Sequence, residues 1–464
     1  MKNRNNISLM FLLVGTLTLS SCFIGRKYER PSVAVNNLFR MDALGNTSQD
    51  TNSMALVNWK EVFSDTILQH YIEQGLVNNF DIRIAIKSID AAAAYVKQIQ
   101  SAFGPVASAT LNYGIAHNPK YTGLGNVNQF QLSADLSWEA DIWGKIKNQK
   151  NATEAAYLQT VEAKNMVKTR LVANLANIYF QLIALDKQES IAQKSIQTRD
   201  SSLQTTKALM QAGQLTAVAI QQSQAQVYEA QNILLNLKNQ RRVLENAFCF
   251  LLSEPPSAIR RSSFEKQHIN TPLAVGVPAQ LLENRPDVKQ AEYALRQALS
   301  LTNVAEANFY PSLVLTASTG FKAVDIKDWL TPEGIFAQVA GGVLQPIINR
   351  RQLKTQLEVA QTKEEQAYLR YQQILLAAGN DVSNALFDFQ TQSEALDLQE
   401  KQNKVLQTAV KYSQQLLVNG LASYLEVLSA QQNVLSTELA LANTHYKRWA
   451  AMIQLYQSLG GGWR

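Results

Sequence analysis

The sequence predicts a mainly α-helical chain that also carries membrane β-strands, with this architecture built twice. Three observations carry that prediction. Short tracts alternate strictly between apolar and polar residues, two 68-residue stretches (145–212 and 351–418) contain no proline, and both features recur about two hundred positions apart.

After Pro105, the residues Ala107, Ala109, Leu111, Tyr113 and Ile115 alternate with Ser108, Thr110, Asn112, Gly114 and Ala116. A loop rich in Gly and Asn follows. Phe130, Leu132, Ala134, Leu136 and Trp138 then alternate with Gln129, Gln131, Ser133, Asp135, Ser137 and Glu139, and the tract ends at Asp141-Ile142-Trp143-Gly144. Period two puts one set on each face of a strand. Tracts of about ten residues suit a tilted strand that crosses a bilayer with lipid on one side and water on the other. Alternation alone fits a half-buried strand of a soluble sheet equally well. The expected pore-facing residues are Gln129, Gln131, Asp135 and Glu139.

The first 21 residues read as a signal peptide, with Lys2 and Arg4 ahead of an apolar run from Ile7 to Leu19. Its removal takes the net charge from +6 to +4, because Lys2 and Arg4 leave with it. The run ends at Leu19-Ser20-Ser21-Cys22, which resembles a bacterial lipobox and makes Cys22 the expected lipidation site. Cys249 is the only other cysteine, so no disulfide framework exists; it reads as a small buried hydrophobe. No stretch after residue 22 holds 18 consecutive apolar residues, which leaves strands as the route into a membrane. The basic residues form no cluster interleaved with aromatics, which speaks against nucleic acid.

From Gly25-Arg26-Lys27-Tyr28-Glu29-Arg30-Pro31 to about Val57 the chain reads as an extended tether that packs no core. Trp59, Phe63, Leu68 and Ile72 start helical periodicity, Asn78-Asn79 breaks it, and a second helix runs from Asp81 to Phe103, capped by Asn79 or Asp81. Residues 145–212 contain neither Pro nor Gly and as one helix would be about 100 Å long. Gly213 ends it, Leu215-Thr216 turns the chain, and a partner helix covers 217–252. Pro255, Pro256, Pro272, Gly276 and Pro278 mark a linker. The pattern then repeats, with a helix from Pro286 to Phe309, an alternating tract after Pro311, a weaker strand from Ile335 to Leu344, a long helix over 351–418, a turn at Gly420 and a last helix to Leu459.

Pro105 aligns with Pro311 and Gly114 with Gly320 at an offset of 206, Gly144-Lys145 with Asn349-Arg350 at 205, and Gly213 with Gly420 at 207. That constancy implies an internal duplication. In each half the two shorter helices together approach the length of the long one, so they are expected to stack end to end beside it. Four strands cannot close a membrane barrel, and an open edge in lipid costs several kcal/mol for each unpaired backbone group. A dimer would give eight strands and a filled interior, and a trimer twelve and a pore. The polar inner face favours the homotrimer.

Several elements together resemble the TolC-like outer membrane efflux proteins in their nodulation-type lipoprotein branch. They are the lipobox, the Tyr28–Pro31 element, the Trp59/Phe63/Asp65/Leu68 start, the segment Leu281-Leu282-Glu283-Asn284-Arg285-Pro286-Asp287 with Ala291-Glu292, and Gly420 followed by Tyr424-Leu425-Glu426-Val427-Leu428. Asn284 stands where the family usually has Arg. The resemblance implies a trimeric 12-stranded outer-membrane β-barrel, four strands per chain, continuous with a long periplasmic α-helical barrel. It further implies the exit channel of a tripartite pump for small toxic compounds or drugs, lipid-anchored in the outer membrane of a Gram-negative bacterium, with most of the chain in the periplasm. The implied partners are a periplasmic adaptor (membrane fusion) protein, an inner-membrane transporter of the RND type, and outer-membrane lipid. The tips Gly213-Gln214-Leu215-Thr216 and Gly420-Leu421-Ala422-Ser423 would meet the adaptor. Glu426, and Ser429 where Asp is common, would stand at the periplasmic constriction.

The expected division is a signal peptide over 1–21, a lipidated tether over 22–58, a first repeat over 59–253, a linker over 254–284 and a second repeat over 285–464. Few Met and no His cluster argue against a pump dedicated to metal. His70, His117, His268 and His445 are scattered, and no nucleophile elbow, phosphate loop or metal spacing is present, so neither catalysis nor a cofactor is expected. Two other readings share the pattern: a lipid-anchored periplasmic coiled-coil scaffold without a pore, and an exit duct for secreted proteins.

Overall fold

The computed structural model describes residues 24–31, 53–117, 126–267 and 280–464. Cys22 with its lipobox, most of the tether, the first hairpin loop and residues 268–279 of the linker, with His268, lie outside the described residues. In chain order the helices and strands are α1 (Trp59–Val62), α2 (Thr66–Asn78), α3 (Phe80–Ser101), β1 (Val106–His117), β2 (Asn126–Ala140), α4 (Lys145–Gln211), α5 (Ala217–Leu252), α6 (Leu281–Asn284), α7 (Pro286–Ala307), β3 (Ser312–Ala323), β4 (Ile335–Leu344), α8 (Gln352–Val418) and α9 (Tyr424–Ser458). The uninterrupted sequence over 145–211 and 352–418 thus becomes two helices of 67 residues each.

The duplication is tighter than the sequence suggests. Val106 pairs with Ser137 and its equivalent Ser312 with Leu344, so β3 is displaced from β1 by 206 positions and β4 from β2 by 207. The offset stays at 207 from there on, since Lys145 and Gln352 open the long helices and Ala217 and Tyr424 open their partners. This corrects the alignment at the strand-to-helix turn. The counterpart of Gly144 (φ +75°) is Arg351 (φ +66°), not Asn349, and both take the left-handed backbone directly before a long helix.

The chain divides into two compact units. The first comprises Met1–Ser32, Ser88–Val161 and Gln290–Gln372, and contains the sheet. Its strands run β1-β2-β3-β4, each antiparallel to its neighbour. Leu111 faces Leu132, which faces Phe321; Trp138 faces Leu315, which faces Gly341. One side of the sheet is therefore apolar across all four strands. Gly320 is required by close approach, because a Cβ there would lie 2.0 Å from the Leu132 carbonyl oxygen.

The second unit comprises Val33–Lys87, Glu162–Lys289 and Gln373–Arg464, and holds a core built on Phe63, Leu68, Ile72, Leu175, Tyr179, Phe180, Phe248 and Leu252. Phe63 contacts Phe180 and meets Tyr456 edge to face at 6.2 Å. Cys249 is fully buried, with the Ser257 N–H 3.3 Å from its sulfur. The end of the tether departs from expectation. Met54 and Ala55 are each 1% exposed, because a 3-10 turn capped by Ser53 folds both side chains into the core.

End-to-end stacking of the short helices holds in both halves. Asn79 caps α3, its Oδ1 accepting from the N–H groups of Asp81 and Ile82, and its Nδ2 donates to the Leu251 carbonyl at the end of α5. This settles the choice of cap in favour of Asn79. The equivalent position, 206 further on, is Arg285, which donates to the Ser458 carbonyl at the end of α9 at 3.0 Å.

Candidate functional site

The polar face of the sheet gathers the residues expected to face water. Gln129, Gln131, Ser133 and Asp135 lie two apart on β2 and are linked in a hydrogen-bonded line, with Ser133 Oγ donating to Asp135 at 3.0 Å. Ser318 on β3 donates to the same carboxylate at 2.6 Å. Glu139 continues this face and is paired with Lys145 at 2.5 Å. The opposite face carries Leu111, Ile115, Leu132, Leu136, Val339 and Val343, exposed in the single chain. Aromatic residues border it, with Tyr113 and Phe130 in tilted contact at one end and Trp138 at the other, its indole N–H donating to the Phe103 carbonyl. From Phe130 to Trp138 the strand spans about 27 Å at about 3.4 Å per residue, the scale of the apolar band of a membrane barrel.

The two hairpin tips are built alike at their first turn. Gly213 (φ +72°) and Gly420 (φ +70°) each follow the end of a long helix. The N–H of Gly213 returns to the Met210 carbonyl and that of Gln214 to Leu209; Gly420 and Leu421 return to Leu417 and Leu416 in the same way. Both are Schellman ends, which need a left-handed residue at the glycine position. The tips differ one step later. Thr216 makes no side-chain cap, whereas Ser423 forms a capping box with Glu426. Leu421 is 75% exposed, an apolar side chain directly after the Gly420 turn. Ala422 sits between it and the cap.

Glu426 and Ser429 are both exposed and three residues apart, so they share a face of α9. The Glu426 carboxylate also accepts the Ser423 N–H at 3.4 Å. Further from the tips, Arg199 is 2% exposed and ties α4 to both partner helices. It donates to the Gln226 carbonyl at 2.7 Å and to the Gln432 side chain at 2.5 Å, and it pairs with Glu229. Burial lowers its pKa against the opposing pull of Glu229. Tyr424 and Gln222 are hydrogen-bonded between α9 and α5.

Motifs that were separate in the sequence meet in space. Arg30 grips Glu292 through two hydrogen bonds, Arg296 adds a third at 2.7 Å, and the Tyr28 hydroxyl a fourth. The Arg296 guanidinium lies 4.5 Å from the centre of the Tyr28 ring. Burial pushes the Tyr28 hydroxyl up to about 12, helped by the neighbouring Glu292 carboxylate. Asp65 caps α2 and accepts from Tyr179 at 2.8 Å and Gln267 at 3.0 Å. Arg285 holds Asp287 in two bonds and Asp381 in one. Sequence reasoning missed Arg261, which joins Asp186 to Glu245. Nothing in the sequence around Arg261 identifies partners 75 and 16 residues away.

No described helix is long and apolar enough to cross a membrane. Among the described residues no group of three or more His, Cys, Asp and Glu is placed to hold a metal ion. A profile of the outer membrane efflux protein family matches residues 71–253 and 277–461, one block in each half. The chain belongs to the outer membrane efflux protein family. It is 26% identical to the cation efflux system protein CusC of Escherichia coli O6:H1 over 451 residues, covering 97% of both chains. It is 25% identical to the probable outer membrane lipoprotein SilC of Salmonella typhimurium, over 99% of this chain and 98% of that one. The outer-membrane channel OprN superposes with a TM-score of 0.88 at 24% identity, over 95% of this chain and all of the other. The fold class read from the sequence, mainly α with membrane β and two repeated halves, is that of these efflux channels. Family membership makes the chain a channel component and gives no support to an enzyme.

Proposed function

We propose that three copies of this chain close a 12-stranded barrel in the outer membrane and serve as the passive exit channel of a tripartite efflux pump. One observation carries the reading: a four-stranded sheet, apolar on one face and hydrogen-bonded polar on the other, in which the outer edges of β1 and β4 are unpaired among the described residues. Lipid tolerates no open edge, so the strands must continue around a ring. A scaffold in water would leave Leu111, Ile115, Val339 and Val343 exposed for no purpose. Leu376, Phe387, Leu398 and Val405 form a second exposed apolar stripe along α8, a face suited to a neighbouring copy.

In this reading Gln129, Gln131, Asp135 and Glu139 line the pore. The tips Gly213–Thr216 and Gly420–Ser423 meet a periplasmic adaptor, with Leu421 as the apolar contact. Glu426 and Ser429 stand at the constriction that the adaptor opens. Cys22 carries the lipid anchor, and an inner-membrane transporter of the RND type supplies energy and selects the cargo, small toxic compounds or drugs. The channel itself only has to be wet and wide. The purified protein is expected to run as a heat-resistant trimer in detergent and to give single-channel conductance in a planar bilayer. A dispersed monomer, or a trimer that passes no ions, refutes the reading.

A further inference from the structure

Residues 24–31 are bound to the helices behind them. The Asn303 side chain on α7 takes Arg26 by both backbone groups, its Oδ1 accepting the Arg26 N–H at 3.0 Å and its Nδ2 donating to the Arg26 carbonyl at 2.9 Å. Asn148, in the first turn of α4, donates to the Ile24 carbonyl at 3.4 Å and to the Gly144 carbonyl at 2.9 Å, and its Oδ1 accepts from Asn303 at 3.4 Å. Asn148 and Asn303 are buried, at 2% and 3% exposure. Gly25 fits against Asn303 only as a glycine, since its φ is +142° and a Cβ would lie 2.9 Å from the Asn303 Cγ. Further along, Tyr28 and Arg30 close on Glu292, which Arg296 also holds.

The duplication separates this arrangement from the repeated fold. At the offsets set by the helix starts, Asn148 corresponds to Thr355 and Asn303 to Lys97, both exposed, while Glu292 and Arg296 correspond to Ile86 and Asp90. Glu292, Arg296 and Asn303 are spaced four and seven apart, so they share one face of α7. The equivalent face of α3 carries none of these residue types. The two asparagines therefore serve the segment they bind, because the helices they sit on are built without them in the other half.

Resting on the reading of Cys22 as the lipid-bearing residue, we propose that Asn148 and Asn303 form a socket for the backbone of residues 24–26. The socket holds the lipid at the joint between strand and helix, with its acyl chains beside Trp143 and Tyr310. Chain length carries the step from socket to lipid. Residue 22 is two positions before Ile24 and so at most about 7 Å from it, even along an extended chain. Ile24 and Gly144 share the Asn148 donor, and Gly144 directly follows Trp143. The Trp143 ring lies 5.1 Å from that of Tyr310 and its indole N–H donates to the Pro311 carbonyl. Tyr310 and Phe309, just ahead of β3, are 42% and 39% exposed. Such a cluster of Trp and Tyr belongs where hydrocarbon meets headgroups. Asn148 and Asn303 are positioning residues, and what they position is a diacylglyceryl group on the chain itself.

The test uses the full-length protein in the outer membrane of a Gram-negative host fed a photoreactive diazirine fatty acid. Trypsin cleaves after Arg26 or Lys27 only when that backbone comes free. The parent is expected to resist cleavage there, and irradiation is expected to join the Cys22 peptide, through its acyl chain, to a peptide containing Trp143 or Tyr310. Gly25→Val, a change outside every helix and strand, is expected to speed cleavage at least tenfold and to lose the link, with Cys22 acylation and thermal unfolding unchanged. Asn303→Ala should release the segment in the same way, and Lys97→Ala, at the equivalent place in the first half, should not. A parent cut as fast as Gly25→Val, or a link that survives in both variants, overturns the socket and leaves the lipid reading standing. An unacylated Cys22 in mass spectra of the parent overturns both.

Discussion

Asn79 and Arg285 occupy equivalent places in the two halves and make the same contact with different chemistry. Asn79 donates to the Leu251 carbonyl and Arg285 to the Ser458 carbonyl, positions that are themselves 207 apart. In each case a short helix begins where another ends, and one side chain satisfies an orphan carbonyl of the finished helix.

The two joints should fail to different degrees. Asn79→Ala removes a cap and one buried bond, a loss of about 1–2 kcal/mol. Arg285→Ala strips Asp287 and Asp381 of their cation and leaves the Ser458 carbonyl without its donor, a loss of about 3 kcal/mol or more. Thermal unfolding followed by circular dichroism in detergent should rank Arg285→Ala well below Asn79→Ala. The reverse order would contradict the stronger clasp in the second half.

Gly144 and Arg351 share the left-handed turn before a long helix, but only one pays the steric penalty. Gly144→Ala should lower stability by about 1–2 kcal/mol, the cost of a Cβ in that conformation. Arg351→Gly relieves the same strain and gives up only the exposed pair with Glu358, so the net change should stay within about 1 kcal/mol. Paired denaturation curves check the asymmetry.

Burial alone would raise the pKa of Glu292, but the bonds from Arg30 and Arg296 more than offset it, and the carboxyl titrates below its ordinary value. The folded protein therefore holds the Glu292 proton less tightly than the unfolded chain does. The associated stability is present above the ordinary carboxylate range and is lost as pH falls through the lowered value. Glu292→Gln should cost about 2 kcal/mol at pH 7. The gap between variant and parent should hold down to about pH 5 and narrow as melts are taken below the ordinary carboxylate value of about 4.5.

His445 is packed against Phe264 and Trp449, with Lys187, Arg448 and Glu400 as the surrounding charges. Burial lowers its pKa and the two cations add to this, while Glu400 opposes it. The unfolded chain then takes up a proton first, so stability should decline as pH falls below about 6.5. His445→Phe should flatten that limb between pH 7 and pH 5 without altering conductance. An unchanged limb would place its origin elsewhere.

Because Glu426 both caps α9 and is proposed for the constriction, Ala is a poor probe of the gate. Gln keeps the capping-box geometry and removes the charge. Glu426→Gln should leave the melting temperature within about 2 °C of the parent, a shift of a few tenths of a kcal/mol. It should reduce the preference for cations in single-channel recordings severalfold. Unaltered selectivity would remove Glu426 from the constriction.

Much of this protein could be read from local pattern. Strict alternation placed Leu111, Leu132 and Leu136 on one face and Gln131 and Asp135 on the other, because a strand has period two whatever surrounds it. The absence of proline over 145–211 and the glycines at 213 and 420 set the long helices and their turns, since those residues act on their own backbone. Longer-range facts were not legible. Tyr28, Arg30 and Glu292 each stood out as part of a motif, yet nothing in the chain says that residues 262 apart share one ion pair. The burial of Met54 and Ala55 was missed because the run Met54-Ala55-Leu56-Val57 is too short to show a period and closes an otherwise polar segment.

By itself the sequence determined the element types, the two-faced sheet and the duplication, because backbone conformation and side-chain periodicity are short-range properties. Only the tertiary structure decided the registers, the true offset that pairs Gly144 with Arg351, and the close approach that leaves Gly320 no room for a side chain. Those depend on which backbone lies within a few ångströms of another, and chain order does not set that distance until the chain has folded.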